Sequence, residues 1–115
     1  MTEKEMQNLI DNEITVDCYD DDEANMGWYY FMSESLEFPF MAKVIIKKTD
    51  GKKEESTVEV VSNATNSDRF NGGGFYVNVA YQGILMKIEV RDLKPINASE
   101  NTLKALTVWQ YAKGE

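Results

Sequence analysis

The apolar positions of this chain change period four times. Over residues 3–13, Met6, Leu9 and Ile10 fall at helical intervals and predict a short amphipathic helix with one apolar stripe. Ile14, Val16 and Cys18 then alternate with Thr15 and Asp17, the pattern of a short extended segment. From Asp20 to about Leu36 the spacing of Ala24, Met26 or Gly27, Tyr30 and Phe31 returns to that of a helix. The aromatic block inside it, Met26 to Phe31, predicts the contact that staples this helix to the rest of the core. Pro39 ends the helical region, because a proline pushes the preceding residue toward extended geometry, and Phe38-Pro39-Phe40 predicts a hinge into a sheet.

Beyond the hinge the period shortens. Runs at 41–48, 57–62, 75–81 and 84–90 are rich in Val, Ile, Phe and Tyr, and Asp50-Gly51, Gly72-Gly73-Gly74 and Gln82-Gly83 separate them as turns. Val58 and Val60 alternate with Glu59, and Phe75, Val77, Val79 and Tyr81 share a face opposite Asn78 and Ala80. Asn97-Ala98-Ser99-Glu100 matches a capping box with Asn97 as N-cap, and it opens an apolar pattern at Leu103, Leu106 and Trp109 or Gln110. The fold expected is α+β: a small SH3-like β-barrel of about five short strands flanked by N-terminal, acidic and C-terminal helices. A chain of 115 residues, 43% of them hydrophobic, suits one domain with one core. Its parts are expected at about 1–38 (helical and acidic), 39–96 (barrel) and 97–113 (closing helix). Residues 63–74 read as a polar, glycine-rich loop.

Charge alters this picture in one place. Residues 6–42 contain no Lys or Arg but nine carboxylates: Asp11, Glu13, Asp17, Asp20, Asp21, Asp22, Glu23, Glu34 and Glu37. The formal charge of −8 therefore belongs to the front third, and the remainder is close to balanced. Four consecutive acids at the start of a helix exceed what capping and the macrodipole require, since each added like charge repels the others. A hard divalent cation would compensate that repulsion, and calcium, which takes about six to eight oxygens in flexible geometry, suits the cluster better than magnesium. Asp20 and Glu23 fall on one helical face, and Asp17 reaches it from the incoming segment. An EF-hand does not fit: counted from Asp20, position 6 is Asn25 and position 12 is Phe31; counted from Glu23, position 6 is Trp28 where the loop needs glycine.

Other chemistry recedes. With no histidine and one cysteine, the usual nucleophile–base pairs and any His or Cys zinc site are absent, so an enzyme is not expected. No Gly-Lys-Ser/Thr follows the triplet Gly72 to Gly74, which reads as a hairpin tip rather than a phosphate loop. The acidic balance disfavours nucleic acid, no apolar run approaches the roughly 18 residues of a bilayer span, and a lone cysteine without a secretory leader points to the cytoplasm.

The segment from Asp17 to Lys43 resembles the signature of the small CcbP-type calcium-binding proteins of cyanobacteria and other bacteria. Asp17, Tyr19-Asp20, Glu23, Met26-Gly27-Trp28-Tyr29-Tyr30, Glu34, Leu36 and Phe38-Pro39-Phe40 carry the likeness. Val58-Glu59-Val60-Val61, Asp92-Leu93-Lys94-Pro95-Ile96 and Trp109-Gln110-Tyr111 extend it over most of the chain. The resemblance implies a compact helix-plus-barrel domain that binds Ca2+ without an EF-hand and buffers or sequesters the ion. It implies Asp17, Asp20, Glu23 and Glu34 as first ligands, with Asp21, Asp22 and Glu37 secondary. The chain departs from the family in the loop Ser62 to Gly74, which has little acid. A different reading is an SH3-like adaptor whose acidic flank docks a basic protein partner.

Overall fold

The computed structural model describes residues 1–114. Helix α1 (Glu3–Leu9) starts at a capping box in which Thr2 Oγ1 accepts from Glu5 N at 3.1 Å and Glu5 Oε1 accepts from Thr2 N at 3.3 Å. It continues without a break into a π-helical turn, Ile10–Ile14. The extended segment expected at 14–18 is therefore not formed. The carbonyl of Ile10 accepts both the Thr15 N–H at 2.8 Å and the Thr15 hydroxyl at 3.0 Å, which holds the wider turn. Met6, Leu9, Ile10 and Ile14 all face the core, while Val16 is exposed.

Helix α2 (Asp21–Ser35) buries Trp28 and Met32, one turn apart, and Leu36 follows them into the core. Tyr29 and Phe31 pack against that core, whereas Tyr30 points away and is 55% exposed. Helix α3 (Glu100–Lys113) buries Thr102, Ala105, Leu106, Val108 and Trp109 and leaves Leu103 exposed. Its N-cap is Ser99, whose Oγ accepts from Thr102 N at 3.2 Å, and not Asn97. Asn97 is committed elsewhere: its Oδ1 accepts from Met41 N at 2.8 Å, beside the strand edge.

Strands β1 (Phe40–Lys47), β2 (Lys53–Asn63), β3 (Tyr76–Tyr81), β4 (Ile84–Glu89) and β5 (Lys94–Pro95) form one antiparallel sheet in the order β4-β3-β2-β1-β5. Val58, Val60, Phe75, Val77 and Val79 point into the core, as alternation requires. A bulge at Val61 resets the register between β2 and β3. Gln82 and Gly83, both at positive φ, make the two-residue turn between β3 and β4. The barrel is not closed: among the described residues β4 and β5 remain the two edges, joined by a 3-10 turn at Val90–Asp92. Strand β5 is two residues long and contains Pro95, which has no N–H to donate to a further strand. Side chains from the helices fill the gap. Trp109 of α3 lies against Phe75, and its Nε1 donates to the buried Glu89 Oε1 at 3.3 Å.

Gly27 sets how closely α2 meets the end of the π-helical turn. A Cβ added there would lie 2.1 Å from the carbonyl oxygen of Ile14, a backbone atom that cannot swing aside. Gly27→Ala is expected to destabilise the protein by about 1–3 kcal/mol in urea titrations despite alanine's better helix propensity. Glu89→Ala strips the acceptor from the Trp109 indole and from Phe75 N, and it should cost about 1–3 kcal/mol, with Glu89→Gln milder because one acceptor oxygen survives. An alanine variant as stable as the parent would show that these donors find other partners.

Candidate metal centre

The chain leaves the π-helical turn at Ile14 and must reverse within a few residues to enter α2. Asp17 takes the left-handed conformation this demands (φ 56°), which a short polar side chain tolerates, and Cys18 N donates to Thr15 O at 3.2 Å. Asp20 caps α2, its Oδ1 accepting from Glu23 N at 2.8 Å, while Glu23 Oε2 reaches back to Tyr19 N at 3.4 Å. One free helix-terminal donor, Glu23 N, and the N–H of Tyr19 just before the cap are thus satisfied by two of the acids. The second oxygens of Asp20 and Glu23 accept no hydrogen bond from the described residues.

Asp17, Asp22 and Glu23 line a shallow groove of about 420 Å³ together with Val16, Cys18, Met26, Gly27 and Tyr30. Partial burial, followed by the charges of Glu23, Asp17 and Asp20, holds the Cys18 thiol above its ordinary pKa. Three acids from two sides of the turn therefore bear on one sulfur atom. No cation offsets them: the ion pairs of the described residues join Lys43 and Lys94 to Glu55, Lys48 to Glu54, and Arg91 to Glu89, all on or beside the sheet.

The sequence-derived candidates separate into two groups. Asp17, Asp20, Asp21, Asp22 and Glu23 are exposed together at the entry to α2. Glu34 lies eleven residues beyond Glu23, about 16 Å along the helix axis, and cannot share an ion with that group. Glu37 is past the helix and belongs to α3's start: its Oε1 accepts from Ser99 Oγ, and its backbone N donates to Thr102 Oγ1 at 2.8 Å. Among the described residues no three acidic or cysteine side chains already stand in a metal-holding arrangement. The donor set nevertheless fits a hard cation, being all oxygen, exposed, and without an ion-pair partner among the described residues.

One neighbour was not legible in the sequence. The 63–74 loop meets α2 two residues beyond Glu23, where Gly72 at φ 84° sits so close that an added Cβ would be 2.4 Å from Asn25 Oδ1. Phe70 of that loop packs on Tyr29, 6.1 Å between ring centres. No local pattern joins positions so far apart.

Comparison with known proteins identifies the family. A family model described as calcium binding, that of the CcbP proteins, matches residues 8–112. The crystal structure of Anabaena CcbP superposes with a TM-score of 0.83 at 33% identity, covering 100% of this chain and 94% of that one. A calcium-binding protein in its calcium-binding form superposes with a TM-score of 0.76 at 32% identity, covering 96% of this chain and 94% of the other. Among proteins of curated function, no sequence matches. By the extent of the family match and the agreement of fold, the chain belongs to the CcbP family, a family of calcium-binding proteins and not of enzymes.

Proposed function

We propose that this protein binds Ca2+ through carboxylates at the entry to α2, without an EF-hand, and buffers or sequesters the ion inside the cell. The observation that carries the reading is the exposed run Asp17 to Glu23, five acids without an ion pair among the described residues, in a chain of a calcium-binding family. Asp17, Asp20 and Glu23 are the first ligands and Asp21 and Asp22 their auxiliaries. With one oxygen each of Asp20 and Glu23 engaged by backbone N–H groups, the three carboxylates offer four uncommitted oxygens, and Asp21, Asp22, backbone carbonyls and water can complete calcium's shell of about six to eight. That residues 21–35 are helical supports a site outside the EF-hand pattern, whose ligands come from a twelve-residue loop.

A second reading draws on the groove itself. Its apolar and acidic lining residues complement a cationic amphipathic segment of a partner protein, recruited by charge and held by Val16, Met26 and Tyr30.

Calorimetry and thermal unfolding of the isolated protein separate the two. Calcium at about 100 times its dissociation constant should add roughly 2.7 kcal/mol of stability. Asp20→Asn keeps an N-cap of equal quality while removing a charge, so it should weaken calcium binding at least about tenfold yet leave metal-free stability equal or higher. Asp20→Ala should instead lose about 1 kcal/mol without metal. If millimolar calcium leaves melting unchanged at moderate salt, and an amphipathic Lys/Arg peptide shifts it, the partner reading takes over.

A further inference from the structure

Acidic as the chain is, one cavity in it has the opposite character. A space of about 640 Å³ opens between the 63–74 loop and the outer ends of β3 and β4, lined by Thr65, Asn66, Arg69, Asn71, Tyr76 and Lys87 among others, with no Asp or Glu in its wall. Neither Arg69 nor Lys87 forms an ion pair among the described residues. Two unpaired cations thus face one acid-free cavity in a chain of charge −8.

Hydrogen bonds inside the loop decide which kind of ligand the wall accepts. Asn66 Oδ1 accepts from Asp68 N at 2.8 Å, and Asn71 Oδ1 accepts from Gly73 N at 2.9 Å. Each bond orients an amide by engaging one lone pair of its oxygen and leaves the N–H2 end unengaged. The Thr65 hydroxyl is also occupied, accepting from Tyr76 N at 2.7 Å and bonding Tyr76 O at 3.0 Å. What remains is a guanidinium, an ammonium, two amide N–H2 groups and the Tyr76 phenol. This set repels a cation and matches a group with several acceptor oxygens, for which an Arg fork and charge-assisted bonds are best suited. The wall is also held in place. Phe70 is packed on Tyr29, Phe75 and Trp109, and Gly72 on Asn25, so little ordering cost falls on binding.

We propose that this cavity is a binding site for a small anion carrying clustered oxygens, a phosphate or polycarboxylate group, separate from the calcium site. The test uses metal-free protein at low salt, titrated with pyrophosphate and, separately, with citrate, and followed by amide chemical shifts. Saturable shifts concentrated at residues 64–74 and Lys87 are expected, weakening as salt rises. The double variant Arg69→Ala, Lys87→Ala should lose at least about tenfold in affinity, each single variant less, and Lys52→Ala at the β1–β2 turn nothing. Both cations are exposed and unpaired, so the variants should melt like the parent. Response to one titrant alone assigns the group as phosphate or carboxylate. Absence of saturable shifts with both, or shifts that persist in the double variant, overturns the site. Because no calcium is present, either outcome leaves the calcium reading to its own experiment.

Discussion

The indole of Trp109 is the point at which the layers of this protein meet. It is fully buried on α3, edge-on to Trp28 of α2 at 5.5 Å, and within 6.1 Å of both Phe70 in the 63–74 loop and Phe75 at the start of β3. A buried indole N–H needs an acceptor, and Glu89 at the end of β4 provides it. A buried carboxylate in turn needs donors and a cation. Phe75 N, Arg91 N and the Arg91 guanidinium supply them. Arg91 also donates to the carbonyl of Lys113, whose ammonium lies over the rings of Trp28 and Trp109 at 5.5 and 5.9 Å. One indole thus ties α2, α3, the loop and the open side of the sheet, and no closed barrel is needed to seal the core.

That clamp explains how a segment of one sign can fold at all. With Trp28 and Met32 fixed in the core, α2 presents its N-terminal end outward, where the acids meet the positive end of the helix dipole and free backbone N–H groups. Capping consumes one oxygen each from Asp20 and Glu23. Asp17, Asp21 and Asp22 have no ion-pair partner among the described residues, so beyond the helix dipole their charge is unmatched. Gly27 contributes by letting the turn that carries Asp17 lie directly on the helix that carries Glu23.

Elements whose identity depends on near neighbours were legible in the sequence. The α2 helix, the inward faces of β2 and β3, and the tight turns at Gly51 and Gly83 follow from local periodicity and from glycines that accept positive φ. Features decided by distant partners were not. Asn97 is drawn from capping α3 by Met41, across the chain, and Ser99 replaces it. Thr102 is buried and Leu103 exposed: the face of α3 that carries Ala105, Val108 and Trp109 inward also carries Thr102, whose hydroxyl accepts from Glu37 N. The same bond takes Glu37 out of the acidic group. Asp17, Asp20 and Glu23 could be associated because helical spacing and a short turn bring them together, whereas Glu34 shares only their composition and not their end of α2.

The opposed characters of the acid run and the 64–87 cavity have a physical consequence for each other. They lie on structures joined through α2, with Asn25 against Gly72 and Tyr29 against Phe70. A cation held by Asp17 to Glu23 lowers the negative potential that an anion beside Arg69 and Lys87 experiences, and linkage makes the benefit equal in the reverse direction. Screening over about 8 Å at physiological salt limits the size of this coupling but not its sign. A cation at the acids on one end of α2 and an anion at Arg69 and Lys87 behind the loop that meets it would therefore favour each other through charge.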